Sequence, residues 1–334
     1  MLKKILKIIG WILLTLVIII LLLLAYFNFP IKKGSDKVEL GVTFSSRYAQ
    51  DINVDWQANF IAMLDDLGVR KIRIPIYWDL VEKEKGQYDF SQLDWQLQEA
   101  AKRQAEIILV VGQKVPRWPE CAIPSWAQND DQIRKTRLLK FINTVVERYK
   151  KESAVKYWQV ENEPFLGFGI CPPLDVPLLD MEIGLVHLID PSRKVIVTDS
   201  GELSLWISAA KRADVFGTTM YRTIWKEGLG YFTYPIGPRF FHFKKWLAHL
   251  FSGQENFIVI ELQTEPWVAG WTINRPLEEQ FQSMNAGQLK ENVEFAQKVG
   301  FSEVYLWGVE WWYWLKVEKN HPELWNQARE TWSQ

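Results

Sequence analysis

Two segments of this chain place carboxylates where chemistry is expected. Glu161-Asn162-Glu163-Pro164 follows the β-branched run Val155–Val160, and Glu261-Leu262-Gln263-Thr264-Glu265-Pro266 follows Phe257–Ile260. A convergent pair of carboxylates is the minimum equipment for cleaving a glycosidic bond. One, kept protonated near neutral pH, gives its proton to the leaving oxygen, and the other, ionised, attacks the anomeric carbon. A gap of about 5–5.5 Å between them leads to a covalent glycosyl-enzyme and retained configuration. With 40 acidic residues in 334, any single glutamate is more often a solvated or capping group than a catalyst. The two segments together carry the reading.

For the segments to meet, a scaffold must gather strand ends. Short β-branched runs recur at Leu40–Thr43, Lys71–Pro75, Ile107–Val111, Val155–Val160, Val195–Thr198, Val215–Thr219, Phe257–Ile260 and Val304–Trp307. Helical patterns lie between them. In Asp55–Leu67 the residues Phe60, Met63, Leu64 and Leu67 keep three-four spacing, with Gly68 as a stop. Thr136–Tyr149 and Leu277–Val299 behave alike, the latter with an expected break near Gly287. Strands alternating with helices imply right-handed βαβ units and a parallel sheet. Eight units suit an α/β fold of the (β/α)8 TIM-barrel type, which needs about 250 residues. A doubly wound sheet is the fallback, but no Gly-x-Gly-x-x-Gly turn follows the first run and there is no P-loop. Residues 38–334 then form one domain, with its chemistry at the carboxyl ends of the strands.

Trp158-Gln159-Val160-Glu161-Asn162-Glu163-Pro164 resembles the Asn-Glu-Pro signature of the clan A retaining glycoside hydrolases, cellulase-like (β/α)8 enzymes. Arg73-Ile74-Pro75-Ile76-Tyr77-Trp78 is similar to the clan's second-strand segment, and Trp78–Asp89 to its W-x-x-x-E-x-x-x-G-x-x-D stretch. The resemblance runs from Gly41 to Trp314. It implies that Glu163 is the acid/base and Glu261 the nucleophile. Glu265, also before a proline, is the rival to Glu261, and Glu202 is a supporting loop residue. Two positions depart from the pattern: a histidine common after the third strand is replaced at Gly112-Gln113-Lys114, and His-x-Tyr after the sixth reads Thr219-Met220-Tyr221.

The remaining assignments each have a plainer counterpart. Asn162 is placed on the sugar 2-hydroxyl; otherwise it ends the strand as an Asx turn. Arg73 is expected to pair with Glu261 and favour its ionised form, or else to be a surface ion pair. Tyr221 donates its hydroxyl to Glu261, or packs in the core. Gln113 completes the polar substrate contacts. The chain holds 18 tryptophans, and many follow strand ends. Sugar rings present C–H faces that stack on aromatic planes, so Trp78, Trp118, Trp267, Trp307 and Trp311 are assigned to substrate, with Trp307 or Trp311 under the cleaved bond. Trp126, Trp271, Trp312 and Trp314 also follow strand ends, and the plainer expectation is that about half of all these tryptophans fill the core.

With 39 basic and 40 acidic side chains there is no basic face for nucleic acid. Two cysteines and four histidines suggest no metal site, and no cofactor is implied, because the acid–base and nucleophilic steps use side chains alone. Ser200 has no Gly-x-Ser-x-Gly around it. Cys121 and Cys171 fall in neighbouring loops, where a disulfide of an exported domain and two buried thiols are equally open. The expected partner is a β-linked oligo- or polysaccharide, to be hydrolysed; a noncatalytic carbohydrate-binding or scaffold protein, or a transglycosylase, is the alternative.

Residues 1–30 are of another character. Ile8–Phe27 is apolar and uncharged, and at about 1.5 Å per residue it reaches roughly the 30 Å of a hydrocarbon core. It lacks the short apolar region and small-residue site of a cleaved signal. The expectation is a single-pass anchor through residues 8–27, a polar tether at 31–37 and an extracytoplasmic domain. Lysines at 3, 4 and 7 are nearly balanced by those at 32, 33 and 37.

Overall fold

The computed structural model describes residues 2–31 and 38–333. Eight parallel strands close into a barrel: β1 (Glu39–Thr43), β2 (Lys71–Pro75), β3 (Glu106–Val111), β4 (Val155–Val160), β5 (Val195–Asp199), β6 (Val215–Met220), β7 (Phe257–Gln263) and β8 (Glu303–Trp307). Each strand pairs with its sequence neighbours, and β1 closes on β8 from Glu39 opposite Glu303 to Thr43 opposite Trp307. Runs such as Ile107–Val111 are buried throughout, as strands covered by helices on one side and packed into a barrel on the other must be. Ile108, Ile196, Ile258, Ile260 and Tyr305 fill the interior, and a larger apolar layer lies between strands and helices. The (β/α)8 expectation holds.

The helices start where short polar side chains satisfy their first free N–H groups. Asp55 accepts from Gln57 and Ala58 at 3.0 and 3.1 Å, Asp130 from Ile133 at 2.9 Å and Asp175 from Leu178 at 3.0 Å. The long pattern Leu277–Val299 is two helices, Leu277–Ser283 and Ala286–Val299. The break falls at Met284–Asn285 rather than at Gly287, because Asn285 caps the second helix by accepting from Gln288 at 3.1 Å.

Three features depart from, or add to, the sequence reading. Strand β7 continues to Gln263, so Glu261 sits inside the strand and not after it. An antiparallel hairpin, Thr223–Lys226 with Gly230–Thr233, is inserted after β6. Cys121 and Cys171 are bonded, tying the loop after β3 to the loop after β4. At the N-terminus, a helix spans Leu2–Asn28, long and apolar enough to cross a membrane. Its last turns touch the helix Pro238–Ser252: the Phe27 ring lies 5.4 Å from that of Phe240 and 5.8 Å from that of Phe243, and Asn28 donates to the Pro235 carbonyl at 2.9 Å. Apart from Ile31, the expected tether lies outside the described residues.

Candidate active site

Arg73 points into the mouth of the barrel from the middle of β2 and is fully buried. A buried cation must be paired and hydrogen-bonded to be tolerated. All three guanidinium nitrogens are engaged: Nε donates to Gln159 Oε1 at 2.8 Å, Nη2 to Asn162 Oδ1 at 2.7 Å, and Nη1 to Glu261 Oε1 at 2.8 Å. One side chain thereby joins β2, β4, the loop after β4, and β7. The Tyr221 hydroxyl donates to the other Glu261 oxygen at 3.0 Å. Glu261 is thus held at both oxygens, one of them by the charged guanidinium of Arg73. Both Arg73 and Tyr221 take the expected partner, so the surface ion pair and simple core packing are set aside.

Glu163 reaches the same space from the opposite wall. Its backbone has φ 42°, in the left-handed region that a non-glycine residue seldom adopts. Neighbouring contacts hold it there. Its N–H donates to Thr198 Oγ1 at 2.8 Å, and the Lys114 ammonium binds the Glu163 and Leu166 carbonyls at 2.9 and 2.7 Å. Thr219 Oγ1 donates to Glu163 Oε1 at 3.2 Å, and Thr219 is the register partner of Glu261 across β6 and β7. The two carboxyl groups therefore lie near one another at the mouth of the barrel. Burial pushes the Glu163 carboxyl well above the usual range, and the negative charges of Glu261 and Glu120 push it further.

Glu161, the first glutamate of the motif, has a different task. Its carboxylate accepts from the backbone N–H of Gln113 at 2.8 Å and of Lys114 at 2.7 Å, stapling the loop after β3 to that after β4. A Cβ on Gly112, whose φ is 135°, would run into that carboxylate. Burial raises Glu161 to about 7, and burial with the Glu161 charge pushes the neighbouring Glu182 carboxyl well above its usual range.

Glu120 was invisible in the sequence. It stands in the loop after β3, buried, and accepts from Asn162 Nδ2 at 3.2 Å; burial first, then the Glu261 charge, lifts it to about 7. No motif marks it, since only the folding of that loop over the mouth brings it there. Asn162 consequently spends its amide on Arg73 and Glu120. Glu265 is drawn into a separate network with Arg117, and it accepts from Trp307 Nε1 at 2.7 Å. Arg117 also pairs with Glu310 at 2.8 Å and lies over the Tyr48 and Trp307 rings at 3.8 and 4.0 Å. Glu202, raised by burial to about 8, accepts from the Tyr221 N–H at 3.0 Å and so supports the residue that binds Glu261.

The tryptophans divide sharply. Trp118 is 53% exposed, and an aromatic row leads inward from it: Trp118 to Phe168 at 6.1 Å, Phe168 to Trp267 at 6.2 Å, Trp267 to Tyr221 at 5.1 Å between ring centroids. Phe168 completes this row and was not anticipated. Trp307 lines the mouth beneath Arg117. Trp78 and Trp311 are fully buried in the helical shell, which corrects their assignment to substrate. Trp78 Nε1 donates to Glu82 at 2.7 Å while Gly86 N–H donates to the other Glu82 oxygen at 2.8 Å, so the W-x-x-x-E-x-x-x-G stretch is a clip that closes its own loop. Trp311 donates to Gln280 at 2.7 Å. Gln113 likewise turns away from the pocket, its side-chain oxygen accepting from Arg134. Among the described residues, no group of His, Cys, Asp and Glu is arranged to hold a metal ion.

Residues 75–168 match the model of glycosyl hydrolase family 10, and no curated protein matches the chain. Among solved structures, a GH10 endoxylanase retrieved from a sugarcane soil metagenome is 12% identical with TM-score 0.58, over 81% of this chain and 86% of that one. The two share the (β/α)8 barrel fold. An exo-β-1,4-mannosidase from Opitutaceae bacterium strain TAV5 shares it at 15% identity and TM-score 0.56, over 84% of this chain and 53% of that one. So does a β-galactosidase from the Antarctic haloarchaeon Halorubrum lacusprofundi, at 16% identity and TM-score 0.56, over 81% and 52%. The present chain spans about half the length of the last two proteins. The family match runs from the end of β2 to the loop after β4, and the structural comparisons share the fold.

Proposed function

We propose that this chain hydrolyses β-linked glycans with retention of configuration, using Glu163 as acid/base and Glu261 as nucleophile. The observation that carries the reading is the contrast between the two carboxyl groups at the mouth of the barrel: Glu261 is held at both oxygens by Arg73 and Tyr221, while Glu163 is buried and driven toward its protonated form. In the first step Glu261 attacks the anomeric carbon as Glu163 passes its proton to the departing glycosidic oxygen. In the second, ionised Glu163 takes a proton from water, whose oxygen bonds to the anomeric carbon and displaces Glu261. Arg73 and Tyr221 orient the nucleophile, and the row Trp118, Phe168, Trp267 offers ring faces to sugars approaching the cleft.

The reading extends to placement. The N-terminal helix acts as a single-pass anchor, and the barrel works outside the cytoplasm, where a bond such as Cys121–Cys171 persists. The test is product stereochemistry: β-glucan, mannan and xylan oligosaccharides are hydrolysed in deuterated water and the first anomer is followed by NMR. Initial release of the β-anomer is expected. Initial α-anomer would overturn retention, and binding without turnover would favour a noncatalytic carbohydrate-binding protein.

A further inference from the structure

The helix Pro238–Ser252 packs Phe241, Lys244 and Ala248 against the barrel. A helix at a protein surface normally turns polar residues outward on its opposite side. This one does not. Phe243, Trp246 and Leu250 recur at i, i+3 and i+7, on the side opposite the buried residues. Trp246 is 55% exposed and Leu250 57%, and Phe251 at the end of the helix is 55%. Phe243 and Trp246 stack at 5.8 Å, making a continuous apolar ridge.

The ridge is continuous with the seat of the N-terminal helix. Phe27 packs on Phe240 and Phe243, the Arg239 guanidinium covers the Tyr26 and Phe29 rings at 5.4 and 4.9 Å, and Arg239 Nε donates to the Phe29 carbonyl at 3.1 Å. Gly237 closes this contact: a Cβ there would meet the Phe27 carbonyl oxygen. A helix that crosses the bilayer thus ends on the first turns of a helix whose outer face is aromatic and apolar, with Arg239 beside it. Tryptophan and basic side chains are the groups that settle at a membrane–water interface.

We infer that this outer face lies in the lipid interface, so that the barrel rests on the membrane on this flank instead of standing away from it. The inference rests on reading the N-terminal helix as an anchor. Barrel helices run alongside the strands, so a barrel resting on one of them lies on its side. Its cleft then opens along the bilayer surface.

The test uses the full chain reconstituted in vesicles of phosphatidylcholine and phosphatidylglycerol, with p-benzoylphenylalanine in place of Ile18, Trp246, Leu250 or Gln98 in turn. Gln98 is exposed on the helix Ser91–Lys102, on the opposite side of the barrel. After irradiation, lipid adducts at Trp246 and Leu250 are expected several-fold above those at Gln98, with strong labelling at Ile18. Labelling at Ile18 but only Gln98-like labelling at Trp246 and Leu250 would overturn the inference and leave the anchor intact. No labelling at Ile18 would remove the anchor and the inference with it. Cross-linked dimers at Trp246 in place of lipid adducts would assign the ridge to a second copy of the chain and also overturn it.

Discussion

Strands β4 and β7 each deliver a glutamate to the mouth of the barrel, and the two deliveries differ in kind. Glu261 lies within β7 beside an irregularity, where the pairing with β6 and β8 slips by one residue between Val259 and Leu262, and it is held at both oxygens by Arg73 and Tyr221. Glu163 sits past the end of its strand in a left-handed backbone conformation, with a single threonine hydroxyl on its carboxyl and two other carboxyl groups nearby. One group is surrounded by donors. The other is desolvated and faces negative charge. Burial and neighbouring charge favour the protonated form of Glu163, the state that the acid of the proposed mechanism needs.

The comparison breaks first at Glu261. Replacing it with Ala should lower kcat on an aryl glycoside by roughly 10⁴-fold or more, since in the proposed mechanism no other group forms the covalent bond; a loss under tenfold would mean that the two glutamates have been assigned wrongly. Glu163→Ala should cost about 10²–10⁴-fold on substrates with poor leaving groups and far less on a dinitrophenyl glycoside, which departs without a proton. Equal losses on both substrates would erase the proposed division of labour. Glu120→Gln sharpens the electrostatic side. Because the Glu120 charge helps raise the Glu163 carboxyl, removing it lets Glu163 ionise at lower pH. The basic limb of the kcat/KM profile, where the acid loses its proton, should therefore move to lower pH; an unmoved limb would show that Glu120 does not act on Glu163. The smallest effect is expected at the outer end of the aromatic row. Trp118→Ala should raise KM for an oligosaccharide about three- to tenfold, as loss of one stacking contact would, with kcat on a small aryl glycoside unchanged.

Much of this was legible along the chain. All eight barrel strands lie within three residues of the β-branched runs that predict them, because a strand buried on both faces has little choice but continuous apolar sequence. The pairing of Arg73 with Glu261 was within reach only through the family resemblance, since Arg73 lies mid-strand and residue pattern does not show which way it faces. The tryptophans were harder. Trp78 and Trp311 follow strands as Trp118 does, yet they turn into the helical shell while Trp118 faces the cleft. Side-chain direction in a loop is set by what packs against it, and periodicity gives no handle there.

The order of residues alone determined the barrel, the two glutamate-bearing strand ends and an apolar N-terminal segment, since each is written in local pattern and spacing. Only the folded molecule decided that Glu120 joins the carboxylate pair, that Gln113 turns away from it, and that the N-terminal helix sits on an aromatic ridge of Pro238–Ser252. Those outcomes depend on loops and helices packing against partners far off in the chain, where contact, burial and charge are set by three-dimensional neighbours and not by sequence neighbours.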